Sequence, residues 1–218
     1  MKKLLFWMVL IVGTVALIGS CAKKDDSTAA ATTTTFTSTT TAAGSITVGS
    51  VTMSGTYVSG CNTSGVAAAV SGGYFPSDVV ANRDVIVVEG SDNVSEESHF
   101  YTDTSCSTLS VYLKNGNDNF TVGDQSGDYY KVTYQEKRFK IKADNAVAVA
   151  FYENYFSTNS ITNEGTAVDL VVGTEYSMGG SGSSYMNLFS VTSTQVQKGR
   201  GSTSSQPTAM DSLEMAKQ

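Results

Sequence analysis

The run Leu109-Ser110-Val111-Tyr112-Leu113-Lys114-Asn115-Gly116-Asn117-Asp118-Asn119-Phe120-Thr121-Val122 alternates apolar and polar residues on both sides of an Asn-Gly pair. A period of two is the mark of a half-buried strand. Asn-Gly suits a type I′ hairpin turn, because both central residues of that turn need positive φ. The run therefore reads as two antiparallel strands, Leu109 to Lys114 and Asn119 to Val122, joined tightly at Asn115-Gly116. Similar alternation marks Val85 to Glu89, Ser98 to Thr102, Tyr129 to Gln135, Phe139 to Lys142, Ala146 to Tyr152, Ala167 to Val172 and Tyr185 to Val191. At the start, Ile46 and Val48 lie on one parity and Val51, Met53 and Tyr57 on the other, which places a bend or bulge at Gly49-Ser50. Ser126-Gly127-Asp128, Asp144-Asn145 and Gly179 to Ser184 supply further turns. About ten short antiparallel strands must close on themselves or split into two sheets, since open edges invite aggregation. The expected fold is all-β, an antiparallel up-and-down β-barrel over residues 46–199, with a β-sandwich as the alternative and 200–218 as a C-terminal tail.

Composition agrees with strands. Of the 218 residues, 16% are charged and 40% hydrophobic, with 20 Gly and 2 Pro, and Ser and Thr make up roughly a quarter, which excludes a long helical bundle. A net charge of −6 argues against nucleic acid, which needs a basic face. One His and 3 Cys leave little material for metal or nucleophile chemistry, and no cofactor is expected.

The first residues read as an address. Lys2 and Lys3 precede an uncharged stretch, Leu4 to Gly19, of the length of a signal-peptide core and too short for a comfortable membrane span. It ends on Ile18-Gly19-Ser20-Cys21, which resembles the lipobox of bacterial lipoproteins, with Ile where that pattern prefers Leu and Ser where Gly is frequent. The resemblance implies a signal peptide over 1–20, removed before Cys21, and acylation of Cys21, palmitate included. Without Lys2 and Lys3 the formal charge falls from −6 to −8. Ala22 follows, and in the enterobacterial sorting rule the absence of Asp there resembles an outer-membrane address. Residues 21–45 then form the acylated cysteine and a linker rich in Thr, Ser and Ala, interrupted by Phe36 and expected to bury nothing. As a flexible coil it would span about 25 to 30 Å, and glycosylation of this stalk is the sharper alternative.

With Cys21 acylated, Cys61 and Cys106 remain, and two thiols in an exported domain most often pair. Gly55-Thr56-Tyr57 before Cys61, and Phe100-Tyr101-Thr102-Asp103 before Cys106, are similar to small bacterial lipoproteins with a lipocalin-like, calycin-type barrel. Pro207-Thr208-Ala209-Met210-Asp211 is similar to their closing segment. The resemblance implies that Tyr57, where those proteins carry Trp, plugs the closed end of the barrel. It also implies a site for a small apolar ligand.

Candidate chemistry is sparse. His99 shares a face with Tyr101 and Asp103, away from Phe100, and reads as an exposed or rim residue; no Gly-x-Ser-x-Gly elbow accompanies it. Asn115 to Asn119 imitates the start of a calcium loop, but Phe120 stands where Gly is required, so no metal site is expected. Glu96-Glu97 and Asp78/Asp84 are the available carboxylate pairs. Lys131, Lys137, Arg138, Lys140 and Lys142 form a basic cluster, a solvated strand face or a patch for anionic headgroups. Tyr129, Tyr130, Tyr134, Tyr152, Tyr155 and Phe156 are dense enough to line a cavity or to fill a core. No catalytic residue is assigned and an enzyme is not expected. Two functions stand open: an envelope lipoprotein whose barrel binds a small apolar ligand, or a structural or protein-interaction lipoprotein without one. An internal cavity of several hundred Å³ would separate them.

Overall fold

A computed structural model describes residues 36–163 and 165–218. Cys21, the signal peptide and the linker up to residue 35 lie outside the described residues.

The chain opens with a small hairpin, β1 (Ile46–Val48) and β2 (Val51–Met53), that turns at Gly49-Ser50, the expected bend. Next come β3 (Thr56–Ser59), a short helix α1 (Val66–Ser71), β4 (Ala81–Val88), β5 (Val94–Tyr101), β6 (Leu109–Ser126) and β7 (Tyr129–Ala143). A second helix, α2 (Ala146–Thr158), precedes β8 (Thr162–Asn163), β9 (Thr166–Ala167) and β10 (Glu175–Gly179). The chain finishes with β11 (Ser184–Val191), β12 (Gln195–Gly199) and β13 (Met210–Lys217). Among the described residues, eight strands close a ring in the order β3-β4-β5-β6-β7-β11-β12-β13, and β13 returns to pair with β3. Every pairing is antiparallel, and β10 takes the part of the β7 edge that β11 leaves free. The architecture is an all-β, lipocalin-like closed barrel with a helix inserted between β7 and β10.

Five expectations are corrected. Asn115-Gly116 is not a turn: β6 runs through it, with Gly116 opposite Ser95 on one side and Arg138 on the other. The left-handed conformation falls at Asn119 (φ 56°), where the pairing shifts between Asp118 and Thr121, so the Asn-rich run makes a bulge instead of a hairpin. The stretches 129–135 and 139–142 are accordingly parts of a single strand, β7. Ala146 to Tyr152 is helical. Asn145 accepts a hydrogen bond from the Ala148 amide as N-cap, and Ala148, Tyr152 and Phe156, four residues apart, form the buried stripe. Of Ala167 to Val172, only Ala167 lies in a strand. Finally, residues 210–217 are the eighth stave of the barrel and not a tail.

Both ends of the barrel are packed. At one end the hairpin drives Ile46, Val48 and Met53 against Tyr57, Ile86 and Phe189. Tyr57 is fully buried there, with Lys217 over its ring, consistent with the plug that the resemblance implies. At the other end Val66 of α1, Tyr152 and Phe156 of α2, and Phe75 cover Phe100, Val111 and Ile141. A disulfide joins Cys61, after β3, to Cys106, after β5, across a Cα–Cα distance of 5.8 Å.

Candidate functional site: a polar belt inside the barrel

Between the two apolar plugs the inward positions turn polar. On β5 Glu96 and Ser98 stand between Val94 and Phe100; on β6 Asn115 and Asn117 follow Leu113; on β7 Glu136 follows Tyr134. Opposite them, Asn187 on β11 lies between Tyr185 and Phe189, and Lys198 on β12 faces Glu96. This belt borders a cleft of about 50 Å³ shared by Asp84, Glu96, Asn115, Lys198 and Asp211. An adjoining pocket of about 20 Å³ lies among Glu96, Asn115, Asn117, Tyr134, Glu136 and Tyr185. The cleft lies beside Gly199 and Asp211, where the β12–β13 register shifts and the wall loosens.

Low polarity on both sides governs the electrostatics. Burial works against the Lys198 ammonium, but Glu96, which it contacts directly, together with Asp84 and Asp211, raises its pKa above the ordinary lysine value. Burial pushes the Asp84 carboxyl up, although the Ser98 hydroxyl donates to it at 2.7 Å. Glu136 is 2% exposed. Burial carries its pKa up to about 7, only partly offset by the Ser181 amide, which donates at 2.9 Å. Tyr134 accepts from Asn187 at 3.4 Å, and burial raises its phenol. One group is left over, Asn115 Oδ1, which has no hydrogen-bond partner; the Tyr185 hydroxyl has the Ser181 side chain beside it, and burial raises its phenol.

The outer wall carries a second constellation. Strand parity puts Glu97 and His99 outside and Glu96 and Phe100 inside, so Glu96 and Glu97 do not act together. His99 is not an exposed or rim residue; it is 3% exposed, because Phe36 packs edge-on against its ring at 4.9 Å. Its Nε2 meets Glu97 Oε2 at 2.7 Å, and Ser38, Thr39 and Thr40 donate their hydroxyls to Glu97 Oε1. The end of the linker, expected to bury nothing, is thus a strap along the wall. Phe36 also covers Val58, Val85 and Val87, and the Ala43 amide bonds to the Val88 carbonyl.

The other candidates separate. Asp84 faces the cleft, whereas Asp78 accepts from Ser110 and Asn145 near α2. Of the basic cluster, Arg138 pairs with Glu89 and Asp118, Lys140 with Glu175 and Lys142 with Asp144, as on a solvated strand face. Tyr134, Tyr152 and Phe156 belong to the core. Among the described residues no three potential ligands converge to hold a metal ion. Sequence reading missed Lys198, Glu136, Tyr185, Asn187 and Asp211 as a group. The available signal was a polar residue at the middle inward position of one strand after another.

No protein-family profile matches the sequence, and neither does any curated protein.

Proposed function

We propose that the chain is an envelope lipoprotein, anchored through acylated Cys21 to the outer membrane, whose barrel serves as a rigid interaction module without an apolar cargo. The observation that carries this reading is the filled interior. Small-molecule sites enclose roughly 300 to 1,000 Å³ and are mostly apolar, whereas this barrel is plugged at both ends and keeps a charged cleft of about 50 Å³. A fatty acyl chain has no path through such a belt without stranding Glu96, Asp84 and Lys198 beside hydrocarbon. The barrel presents its own contact features at the α2 end, where Val147, Val171 and Val172 are exposed and the Gly173 amide bonds to the Ala143 carbonyl, keeping the two segments side by side.

Two measurements test it. The full chain, titrated with an environment-sensitive apolar dye, should show no saturable binding; micromolar affinity competed by fatty acid would restore the ligand-carrier reading. Cys21→Ser should move the protein from the membrane to the soluble fraction, because among the described residues no helix is long and apolar enough to cross a membrane. Unchanged fractionation would overturn the anchor.

A further inference from the structure

We infer that the helix-capped end of the barrel, through Tyr74, Val80, Val147, Val171 and Val172, rests on the surface of the bilayer that holds the lipid anchor. The inference rests on the proposed anchoring at Cys21 and names the partner of that face.

The first argument is where apolar surface lies. Among the described residues these five are the exposed large apolar side chains, each at least 39% open to solvent. They come from segments far apart in sequence, yet each segment feeds the same buried cluster: Tyr74 precedes Phe75, Val80 follows Val79, Val147 precedes Ala148, and Val171 follows Leu170. Hydrogen bonds hold the segments together. The Asn145 side chain donates to Asp78 at 2.7 Å, the Gly173 amide to the Ala143 carbonyl at 2.8 Å and the Val80 amide to the Tyr101 carbonyl at 2.8 Å. Single exposed apolar residues are ordinary on any surface, but their gathering at one end marks an interaction face.

The second argument is the direction of the strap. The Ala43 amide bonds to the Val88 carbonyl at the level of the Tyr57 plug, Ser38, Thr39 and Thr40 reach Glu97 midway along β5, and Phe36 lies on His99. Followed toward the N-terminus, the chain therefore runs down the wall and leaves it two positions from Tyr101, at the helix-capped end. Residues 22–35 are all that separates Phe36 from Cys21, a reach of at most about 50 Å. A bilayer under the plug end would make the chain retrace the length of β5, about 25 Å, before meeting lipid.

The third argument is chemistry. Four of the five side chains are Val, which is under-represented in the hot spots of protein interfaces, and Tyr74 has the amphipathic ring found at membrane–water boundaries. The lysines near this end, Lys140 and Lys142, are held by Glu175 and Asp144, while Asp169 stands exposed beside Leu170. Attraction to anionic headgroups is thus not available, and the contact is apolar. A tether makes a weak apolar contact sufficient, because it turns recruitment from solution into an intramolecular step.

The test uses the full acylated chain in phosphatidylcholine vesicles that carry bromine on the upper part of the acyl chains. Trp7, the single Trp of the sequence, is replaced throughout by Trp7→Phe, so each reporter is unique. Val171→Trp puts a fluorophore on the face, and Thr52→Trp, exposed on β2 at the plug end, is the reference. When both chains float with the vesicles, bromolipid should quench the Val171→Trp chain several-fold more than the Thr52→Trp chain. Raising salt to about 0.5 M should leave that difference in place, because screening acts on charge. Adding Val172→Asp, an exposed change that should leave circular dichroism unaltered, should remove most of it. Equal quenching of the two reporters in floating chains would overturn the inference, spare the anchor and assign the face to a protein partner. Loss of the difference in salt would overturn the apolar contact. Chains that do not float would overturn the anchor at Cys21, and this inference with it.

Discussion

Glu97 keeps its charge in the wall of the barrel because its neighbours are donors. Burial alone would raise its pKa, but hydrogen bonds from His99, Thr40 and Ser38 outweigh that and hold it at about 2, below the ordinary 4.5. The sign of the pH effect follows. A carboxyl more acidic in the folded state contributes stability above its unfolded pKa and loses that contribution as pH falls through the folded one. The strap should therefore loosen between pH 4.5 and 2, at a cost on the order of 3 kcal/mol for a shift of this size in a carboxyl that is 1% exposed. Urea unfolding at several pH values should show this acid limb in the native chain and a shallower one in Glu97→Gln, which starts less stable at pH 7. An acid limb of equal slope in both proteins would show that the Glu97 carboxylate, with its donors His99, Thr40 and Ser38, contributes nothing to it. None of this was legible in the linker itself. Its Ser and Thr residues have no period, and the partner that gives them a purpose lies nearly sixty positions away.

At the scale of elements, the sequence was read well where parity alone decides and poorly where two local signals compete. Strand parity separated His99 from Phe100 correctly, because a one-residue slip would exchange the core and solvent faces of all of β5. The Asn-Gly pair misled, since its turn preference is worth less than continuous pairing of β6 with β5 and β7 on either side. Ala146 to Tyr152 misled in another way: Ala and Val on alternate positions match a strand, while Ala148, Tyr152 and Phe156 match a helix. The cap resolves that ambiguity. Asn145 accepts from the Ala148 amide at 2.9 Å and its own amide donates to Asp78 at 2.7 Å and to Ser110 at 3.2 Å, so it fastens the helix start to the barrel rim. Asn145→Ala should cost about 1 kcal/mol for the lost cap, and more because Asp78 Oδ1 already lacks a partner. Asn145→Ser, which can still cap the helix, should recover part of the loss in a denaturant titration. Equal stability of both variants and the native chain would remove Asn145 from the account of why this segment is helical.

At the scale of the molecule, two links between distant parts of the chain hold the barrel closed, one covalent and one not. Cys61–Cys106 spans 45 residues and ties β3 to β5 around the β4 hairpin. In the loop-entropy account such a link contributes about 4 kcal/mol, so reduction should lower Tm by roughly 8 to 16 °C for a chain of this length. Calorimetry with and without reductant measures it, and an unchanged Tm would mean the barrel already restricts those two loops. The second link is the seam between the first and last staves, where Met215, Ala216 and Lys217 pair with Ser59, Val58 and Tyr57. A resemblance at residues 207–211 hinted at it, but the Pro-bearing, polar stretch after Gly199 looked like the end of the domain. The seam does more than its three pairs suggest: β13 also pairs with β12, puts fully buried Met215 into the core and lines the cleft with Asp211. Without it, β3 and β12 would both be open edges, and the plug around Tyr57 would lose one wall. A chain ending at Ala209 should therefore lose cooperative thermal unfolding and near-ultraviolet circular dichroism, and should aggregate. A dispensable tail would leave both signals intact, and that result would contradict closure through β13. Met215→Leu, which keeps the volume and the apolar character, should leave both signals intact, whereas Met215→Asp should reproduce the truncation, because it buries a further carboxylate at the cleft that already holds Asp84, Glu96 and Asp211.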